Sequence, residues 1–318
     1  MREVIEKIKN AHSVAVIPHV NEDADAMGSC LAFASVMRRL GKEATVYVSE
    51  IPEKRISFIG DEYTVYNPDE NYTHDLCACI DCGDLKRTGE RSKLFSQCEN
   101  TINIDHHFTN TNFADANFVD AQAAASGEIL YMLFKEAGID ITAKEAELLY
   151  AAICSDTGSF KYSNVTPRTM RIAADLLEYD FDHADIARRL FDCESEKSAL
   201  MRAEVIQSVQ SYANGKIRVV TVGEDIYEKY GISVKDAPNF VDIPRCIEDT
   251  EIAVCIKPQN GEIRVNLRSN NYFDVSETAV KFGGGGHMRA AGCSVKAETL
   301  EEAQMLIVKA IEEDLKKY

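Results

Sequence analysis

The amino-acid sequence predicts an α/β protein: an N-terminal domain with a parallel sheet, joined by a helical linker to a smaller mixed α/β domain. Short continuous apolar runs alternate with helical segments in the first half, as in a parallel sheet covered on both faces. Strands in the last third alternate apolar and polar residues, which is typical of a sheet with one solvated face. The length of 318 residues fits two domains. We place them at 1–185 and 206–318, with the linker at 186–205.

The first domain opens with a β-α-β unit behind an amphipathic N-terminal helix. Residues 14–17 are a continuous apolar run that is too short for a helix and is typical of a buried strand. Residues 31–40 have helical spacing and end before Gly41, a residue that commonly terminates helices. Residues 44–48 then form a second strand. Parallel pairing of the two strands follows from the helix between them.

Three ionisable residues follow the first predicted strand. His19, Asp23 and Asp25 are expected on a loop at the carboxyl end of that strand, where open α/β sheets bind ligands. One imidazole and two carboxylates this close together favour a bound divalent cation. An Asp-rich loop is also typical of a helix cap or a solvated turn, so this segment alone leaves the metal open.

The remaining elements carry strong local signals. Further buried strands are predicted at 76–80, 101–104 and 117–120.

Helix starts and one turn can also be read directly. Ser126 is predicted to cap a helix, and Thr142 with Glu145 forms a capping box at the start of the next one. In the second domain, Asn260 and Gly261 predict a hairpin turn between two alternating strands.

Composition and charge restrict the classes of partner. The formal charge is −17, from 35 basic and 52 acidic residues, and no basic stripe of the kind that holds long nucleic acids is visible. No apolar run approaches the length of a membrane span, and the N-terminus does not resemble a secretion signal. The ten cysteines form no disulfide framework, and we interpret Cys77, Cys79 and Cys82 as buried thiols rather than zinc ligands. A cytoplasmic protein that binds neither membranes nor long duplexes is expected.

Four segments deliver aspartate and histidine to the same predicted edge of the sheet. They are His19 with Asp23 and Asp25, then Asp81, then Asp105 with His106 and His107, and finally Asp156. A helix cap or a core histidine would explain any one of them, but four in succession favour a pair of divalent cations bridged by one aspartate. Oxygen and nitrogen ligands favour manganese or magnesium. Two such ions promote hydrolysis of a phosphate ester or anhydride.

These segments resemble, in identity and order, the motifs of the DHH phosphoesterase superfamily, and the resemblance extends over nearly the whole chain. The matching residues are His19-x-x-x-Asp23-x-Asp25-Ala26-x-Gly28-Ser29, Asp81-x-Gly83-Asp84, Asp105-His106-His107 and Ser155-Asp156-Thr157-Gly158. The sequence departs from the pattern at Glu22, where relatives often carry proline. We expect this difference to change only the stiffness of the loop.

The resemblance also implies roles for these residues. One ion would be held by His19, Asp23 and Asp81, and the other by Asp25, Asp81, His106 and Asp156. Asp81 would then bridge the two ions, with Mn²⁺ expected and Mg²⁺ or Co²⁺ as alternatives. Asp105 would orient a ligand, and His107 would face the substrate phosphate as a hydrogen-bond donor or acid, so that Asp81, Asp105 and His107 are the catalytic candidates.

The C-terminal domain resembles the DHHA1 substrate-binding domain. The resemblance rests on Asn266-Leu267-Arg268-Ser269 and on the glycine run 283–286 followed by His287-x-x-Ala290-Ala291-Gly292. It implies a substrate site formed by Arg268, Ser269, Gly284, Gly285, Gly286, His287 and Arg289. The glycine run is expected to cradle a phosphate with bare backbone N–H groups. Tyr272 and Phe273 are expected to pack in the core, with stacking on a base as the alternative.

Length and architecture resemble the stand-alone DHH/DHHA1 proteins that degrade very short RNA. The resemblance implies a manganese-dependent phosphodiesterase acting on oligoribonucleotides of about two to five nucleotides, on dinucleotides such as pApA, and on 3′-phosphoadenosine 5′-phosphate (pAp). Two alternatives stay open: an inorganic pyrophosphatase or polyphosphatase, and a catalytically silent nucleotide-sensing protein. The preferred substrate, the cleavage polarity and the oligomeric state, with a homodimer as one alternative, are not determined by the sequence.

Overall fold

Residues 1–234, 237–259 and 261–318 are described by the structure, a computed structural model, and they divide into two units. The first unit is Met1–Cys193 and the second is Glu194–Tyr318. The division falls inside the predicted linker 186–205, whose own ends stay a prediction. In the described part of the chain, no helix combines the length and the apolar character needed to cross a bilayer.

The first unit has a six-stranded sheet flanked by helices. Its elements in chain order are α1 (Arg2–Asn10), β1 (Ser13–Ile17), α2 (Ala24–Arg39), β2 (Glu43–Val48), β3 (Tyr63–Val65), β4 (Leu76–Ile80), a 3₁₀ segment (Leu85–Arg91), α3 (Ser92–Gln97), β5 (Asn100–Asp105), β6 (Ala116–Val119), α4 (Ser126–Glu136), α5 (Ala143–Asp156), α6 (Pro167–Leu176) and α7 (His183–Ala187). The predicted strands are thus confirmed, and β3 lies in a stretch for which no element is predicted above.

All pairs in this sheet are parallel, and the strand order is β3-β2-β1-β4-β5-β6. β1 and β4 are almost entirely buried, which explains their continuous apolar sequences. The chain winds outward from β1 in one direction and from β4 in the other, so the order reverses between these two neighbours. Open α/β sheets bind ligands in the crevice at such a reversal.

The start of α2 differs from the prediction. Asp23 is its N-cap, and the Asp23 side chain accepts a hydrogen bond of 3.0 Å from the amide of Ala26. Asp25 therefore lies in the first helical turn, and the prediction that it lies on the loop is wrong. The apolar spacing that predicts the helix begins only at Leu31, because residues 24–30 at the start of α2 are mostly small. The capping box of Thr142 at the start of α5 is confirmed.

The segment between the two sheets is not one connecting helix. It consists of α7, a π-helical turn (Arg188–Asp192) and α8 (Glu196–Gln207), with an extended Cys193 between the last two. Ser195 caps α8 by accepting from the amide of Ser198. Met201 on α8 is fully buried in the core of the second unit, so α8 is part of that core.

The second unit is a mixed sheet with helices. It contains α8, β7 (Gln210–Tyr212), β8 (Ile217–Thr221), α9 (Glu224–Tyr230), α10 (Asp242–Arg245), β9 (Ile252–Gln259), β10 (Glu262–Ser269), α11 (Val275–Lys281), β11 (Gly285–His287), β12 (Ala290–Val295) and α12 (Leu300–Leu315). The strand order is β11-β12-β10-β9-β8-β7, antiparallel except for the β8–β9 pair. β9 and β10 pair as the predicted hairpin. Asn260 of its turn lies outside the described residues.

Candidate metal centre

The candidate site lies at the carboxyl ends of the central strands of the first unit. His19 lies two residues beyond β1, Asp81 directly follows β4, and Asp105 is the last residue of β5. Asp25 and Asp156 come from the first turn of α2 and the last residue of α5. The sheet and the two helices thus bring residues that are distant in sequence to one edge.

All six predicted metal ligands come together there. Their ligand atoms form two groups, each within 4.8 Å: His19 with Asp23 and Asp81, and Asp25 with His106 and Asp156. A third group of the same kind joins Asp81 and His106 to His107. The carboxylate of Asp81 reaches both groups, because its Oδ2 lies 3.5 Å from His19 Nε2 and its Oδ1 lies 3.4 Å from His106 Nε2. This is the placement expected of a carboxylate that bridges two ions.

The distances and the donor types suit a divalent cation. His106 Nε2 lies 3.4 Å from Asp156 Oδ2 and 3.8 Å from Asp25 Oδ2, which is longer than an ordinary hydrogen bond. Two ligands of one octahedral ion at about 2.1 Å are about 3 Å apart, so small inward movements would enclose an ion. Carboxylates and imidazoles without a thiol suit manganese or magnesium. Cys77, Cys79 and Cys82 are buried and form no disulfide.

The protonation of the cluster follows from burial and crowding. Burial opposes the charged form of the two imidazoles, but neighbouring carboxylates outweigh it and raise the pKa of His19 to about 11 and that of His106 to about 10. Burial, and then the charge of Asp81, raises the pKa of Asp25 to about 7. Burial also raises the pKa of Asp156, whereas hydrogen bonds from the two histidines overcome burial and hold the pKa of Asp81 far below its usual range. The cluster therefore holds protons that a divalent cation can replace.

The N-terminus of α4 supports two of these carboxylates, a contact that the sequence did not predict. The amides of Ser126 and Gly127 donate to Asp25 at 2.7 and 3.0 Å. The Ser126 hydroxyl donates to Asp81 Oδ1 at 3.0 Å. The prediction that Ser126 is the N-cap of α4 is wrong, since Ala125 occupies that position. The helix instead receives a carboxylate from α2, which suits its dipole.

Two glycines allow the helices of the site to approach closely. A Cβ on Gly28 of α2 would lie 2.6 Å from the carbonyl oxygen of Leu148 on α5, and one on Gly127 of α4 would lie 2.7 Å from Cβ of Ala152 on α5. The hydroxyl of Ser29 donates to Asp25 Oδ1 at 3.0 Å. The glycine of the first motif therefore allows the close approach of α2 and α5, and the serine holds the Asp25 carboxylate within α2.

His107 lies beside the metal groups and has an ordered polar environment. Its Nδ1 donates to Asp105 Oδ1 at 2.7 Å, and the amide of the Asn110 side chain donates to Asp105 Oδ2 at 2.5 Å. The hydrogen bond to Asp105 raises the pKa of His107. Arg87 Nη1 lies 3.3 Å from His107 Nε2. The sequence analysis did not identify Arg87 as a site residue, although it lies only six residues after Asp81, in the 3₁₀ segment.

Comparison with known proteins identifies the chain. Residues 13–153 match the N-terminal domain of the DHH family, and residues 214–317 match the DHHA1 domain. A protein of Thermus thermophilus named bifunctional oligoribonuclease and PAP phosphatase NrnA is 30% identical over 318 residues, which covers 99% of this chain and 94% of the relative. The chain belongs to the DHH family.

Other relatives extend along the whole DHH and DHHA1 region. A Bacillus subtilis protein with the same name is 28% identical over 298 residues, or 92% of each chain. The crystal structure of an exopolyphosphatase-related protein from Bacteroides fragilis has a TM-score of 0.90 at 24% identity, covering 100% of this chain and 95% of that one. RecJ in complex with Mn²⁺ from Thermus thermophilus has a TM-score of 0.57 at 14% identity, covering 100% of this chain and 55% of RecJ. These two structures establish the likeness of fold.

Glu22 of the DHH domain does more than change the stiffness of its loop, and that expectation is wrong. The side chain is buried and its Oε1 accepts a hydrogen bond of 2.9 Å from Nη1 of the buried Arg91. The sequence around Glu22 does not indicate this ion pair, because the two residues lie 69 positions apart.

The residues predicted to bind substrate in the DHHA1 domain lie at one end of its sheet. Arg268 pairs with Ala290 across β10 and β12, and the Ser269 amide donates to the Arg289 carbonyl at 3.1 Å. The Arg289 guanidinium in turn donates to the Ser269 hydroxyl at 3.0 Å. The buried Glu251 accepts from that same hydroxyl at 3.0 Å. The segment is therefore held in a defined conformation.

Part of the glycine run of the DHHA1 domain is a strand, and its role as a phosphate cradle stays a prediction. Gly285–His287 is the strand β11, which forms the edge of the sheet and pairs with β12. A Cβ on Gly284 would lie 2.2 Å from the Gly292 carbonyl oxygen, and one on Gly286 would lie 2.5 Å from the Ala290 carbonyl oxygen, so both glycines are required by packing. A Cβ on Gly285 would meet nothing within 4 Å. His287 is exposed.

The two aromatic residues after β10 have different environments. Phe273 is fully buried in the core, as expected. Tyr272 is 37% exposed and borders an open cavity of about 640 Å³, with its hydroxyl 3.3 Å from Lys216 Nζ. Core packing therefore describes Phe273 and not Tyr272.

Proposed function

We propose that this protein is a metal-dependent phosphoesterase that hydrolyses short oligoribonucleotides, including dinucleotides such as pApA, and pAp. The observation that carries the proposal is the placement of Asp81, whose two carboxylate oxygens face two separate groups of metal-competent side chains. Two divalent cations held close together are the established means of hydrolysing phosphate esters without a covalent intermediate on the protein.

The names of the relatives support the choice of substrate. The proteins of Thermus thermophilus and Bacillus subtilis are both named bifunctional oligoribonuclease and PAP phosphatase NrnA, and each aligns with more than nine-tenths of this chain. The net charge of −17 agrees with a short substrate, because a long nucleic acid would need a basic surface. Cytoplasmic location and the oligomeric state stay predictions.

Two Mn²⁺ ions are the proposed cofactors, with Mg²⁺ or Co²⁺ as alternatives. One would be held by His19, Asp23 and Asp81, and the other by Asp25, Asp81, His106 and Asp156. The oxygen and nitrogen donors fit such ions, and the RecJ structure of Thermus thermophilus contains Mn²⁺. When bound, the ions supply an activated water and positive charge near the phosphate.

The protein side chains around the ions bind and orient the substrate. His107 is proposed to donate a hydrogen bond or a proton to the phosphate, while Asp105 fixes its ring through Nδ1. Arg87, 3.3 Å from His107 Nε2, places a guanidinium where it can bind the same phosphate. Ser126 and the N-terminus of α4 hold Asp81 and Asp25 in position, so that little reorganisation accompanies binding.

The DHHA1 domain is proposed to bind the remainder of the nucleotide. Its candidate residues are Arg268, Ser269, Gly284, Gly285, Gly286, His287 and Arg289. The positive charges of Arg268 and Arg289 and the exposed imidazole of His287 suit a second phosphate or a terminal one. Since Gly284 and Gly286 have packing reasons of their own, Gly285 is the glycine whose backbone is best placed to approach a ligand closely.

A digestion panel tests the proposal. Purified protein with Mn²⁺ is incubated with a 5′-labelled RNA dinucleotide, pAp, a long single-stranded RNA and pyrophosphate, each compared with Asp81→Ala. Asp175→Ala is the matched control, because Asp175 belongs to the same unit but bonds Tyr131 at 2.7 Å, away from the metal groups. We expect rapid loss of the dinucleotide and of pAp with wild type and the control, and none with Asp81→Ala. Phosphate release from pyrophosphate alone would contradict the substrate assignment, and full activity of Asp81→Ala would contradict the site.

A further inference from the structure

The loop between the proposed ligands His19 and Asp23 contains an ion pair that is almost completely buried. Glu22 is 6% exposed, and its partner Arg91, at the end of the 3₁₀ segment after β4, is 1% exposed. The Glu22 Oε1 to Arg91 Nη1 distance is 2.9 Å. Charged side chains are rarely buried this completely unless they are paired, and a buried pair adds little stability by itself.

The pair connects three segments that converge on the metal groups. Glu22 Oε1 accepts from the amide of Ser49, just after β2, at 2.7 Å, and from its hydroxyl at 2.9 Å. Arg91 donates to the carbonyl of Tyr47 at 2.8 Å and to that of Thr88 at 3.1 Å. The loop after β1 is thereby attached to the end of β2 and to the segment that follows β4.

Stability alone is a weak explanation for this arrangement. The desolvation of two buried charges offsets most of their attraction, and an apolar pair of similar volume is often at least as stable. Among the described residues, Nη2 of Arg91 is moreover buried without a hydrogen-bond partner. An arrangement that costs desolvation but fixes directions strictly is better suited to setting a geometry.

The feature whose geometry is set is the ring orientation of His19. The Nδ1 of its ring donates to the Val20 carbonyl at 2.7 Å, which leaves Nε2 facing the carboxylates. The Val20 amide donates to the Arg87 carbonyl at 2.7 Å, so the same peptide segment is bound to the 3₁₀ segment. Val20 also packs against Gly89, where a Cβ would lie 2.9 Å from Val20 Cγ1. Glu22 anchors the other side of this loop, next to Asp23.

We propose that Glu22 and Arg91 are positioning residues that set the affinity of the ion held by His19, Asp23 and Asp81. This inference rests on the proposed function for the identity of the ligands, and it goes further by assigning a role to a buried pair that touches neither the ion nor the substrate. The second ion, proposed to be held by Asp25, Asp81, His106 and Asp156, depends mainly on the contact between α2, α4 and α5 and should be affected much less.

Calorimetric titration of Mn²⁺ tests the inference, with thermal unfolding measured on the same samples. Glu22→Gln keeps the shape of the side chain and removes its charge. The double variant Glu22→Leu/Arg91→Met replaces both charges with apolar groups and guards against failure of the single variant to fold. Glu145→Gln is the matched control, since Glu145 is also buried and also pairs with an arginine, Arg39, but lies in the capping box of α5.

We expect wild type to bind two Mn²⁺ ions. In both Glu22 variants one dissociation constant should rise by about tenfold or more, as for other residues that orient metal ligands, while the other stays within about threefold. Turnover of the dinucleotide should recover at high Mn²⁺, because the reacting groups are intact. Glu145→Gln should lower the melting temperature and leave both constants within about threefold.

The inference is overturned if both constants of a folded Glu22 variant stay close to those of wild type. It is also overturned if Glu145→Gln weakens the same ion, since any lost buried pair would then have that effect. Absence of Mn²⁺ binding by the wild-type protein would refute the proposed metal centre and this inference with it, and is distinguished from the other outcomes by the wild-type titration alone.

Discussion

Replacement of Gly28 by alanine should separate the two helices that carry Asp25 and Asp156. The added Cβ would lie 2.6 Å from the carbonyl oxygen of Leu148 and 3.3 Å from Cβ of Ala152. The nearest atom belongs to the backbone of α5 and cannot rotate away. Relief of the contact therefore requires a movement of α2 relative to α5.

The size of that movement sets the expected effect. Ordinary contacts begin at about 3.4 Å, so the helices must separate by roughly 0.8 Å. Overpacking of this kind costs about 1–3 kcal/mol, and the better helix propensity of alanine offsets about 1 kcal/mol of it. A displacement near 1 Å between groups that act together lowers turnover by up to about 100-fold. Gly28→Ala should thus lose activity out of proportion to its stability.

The assay measures turnover of an RNA dinucleotide at saturating Mn²⁺ together with the free energy of unfolding. Ile172→Val provides the control, because Ile172 is buried on α6, which carries no proposed ligand, and its truncation costs about 0.5–1.5 kcal/mol. We expect kcat to decrease by about 10- to 100-fold for Gly28→Ala, because its metal-binding carboxylates are displaced, and to stay at the wild-type value for the control. A Gly28→Ala protein that is less stable but fully active would refute the reasoning.

Three further predictions each concern one polar side chain. Ser126→Ala removes the hydroxyl that donates to Asp81 and should weaken Mn²⁺ binding about tenfold in a calorimetric titration. An unchanged Mn²⁺ affinity would contradict the supporting role of Ser126. Arg87→Ala should raise KM for the dinucleotide about tenfold, equivalent to one charge-assisted hydrogen bond, and leave Mn²⁺ affinity unchanged; an unchanged KM would exclude Arg87 from phosphate binding. Burial acts to raise the pKa of Glu251, but hydrogen bonds from the amides of Phe273 and Tyr272 overcome it and lower the pKa. Because the folded pKa is the lower one, this stabilisation is present above the unfolded pKa of about 4.3 and is lost as the pH falls through the folded pKa. The free energy of unfolding of wild type should therefore fall more steeply with acid than that of Glu251→Gln in denaturation curves measured at several pH values. Parallel curves would contradict that prediction.

The sequence predicted most of the elements that carry the site, because their signals are local. The apolar runs of β1 and β4 and the capping box at Thr142 depend on neighbouring residues only. The accumulation of aspartate and histidine at the ends of successive strands and helices was sufficient to predict that the candidate metal ligands lie at one edge. Parallel connectivity then brings those ends together without further information.

What the sequence did not predict depends on contacts between distant segments. Ser126 has the sequence context of an N-cap, but its amide donates to Asp25, 101 positions earlier, and this contact sets where its hydroxyl points. Glu22 has the context of a solvated loop, and only the fold shows Arg91 beside it. The glycine run likewise has the composition of a flexible loop, whereas pairing with β12 makes it an edge strand.

The order of the proposed ligands along the chain has a consequence for how the protein is made. They extend from His19 to Asp156, and the second unit begins only at Glu194. Translation proceeds from the N-terminus, so every donor atom of the centre has been synthesised before the first residue of the second unit. Those donors also enclose a stretch of chain that includes five of the six strands of the first sheet, all but β1. A pair of cations bound between them would tie the two ends of that stretch together. If bound during synthesis, they would act as a reversible cross-link in the first unit before the domain proposed to bind the nucleotide exists.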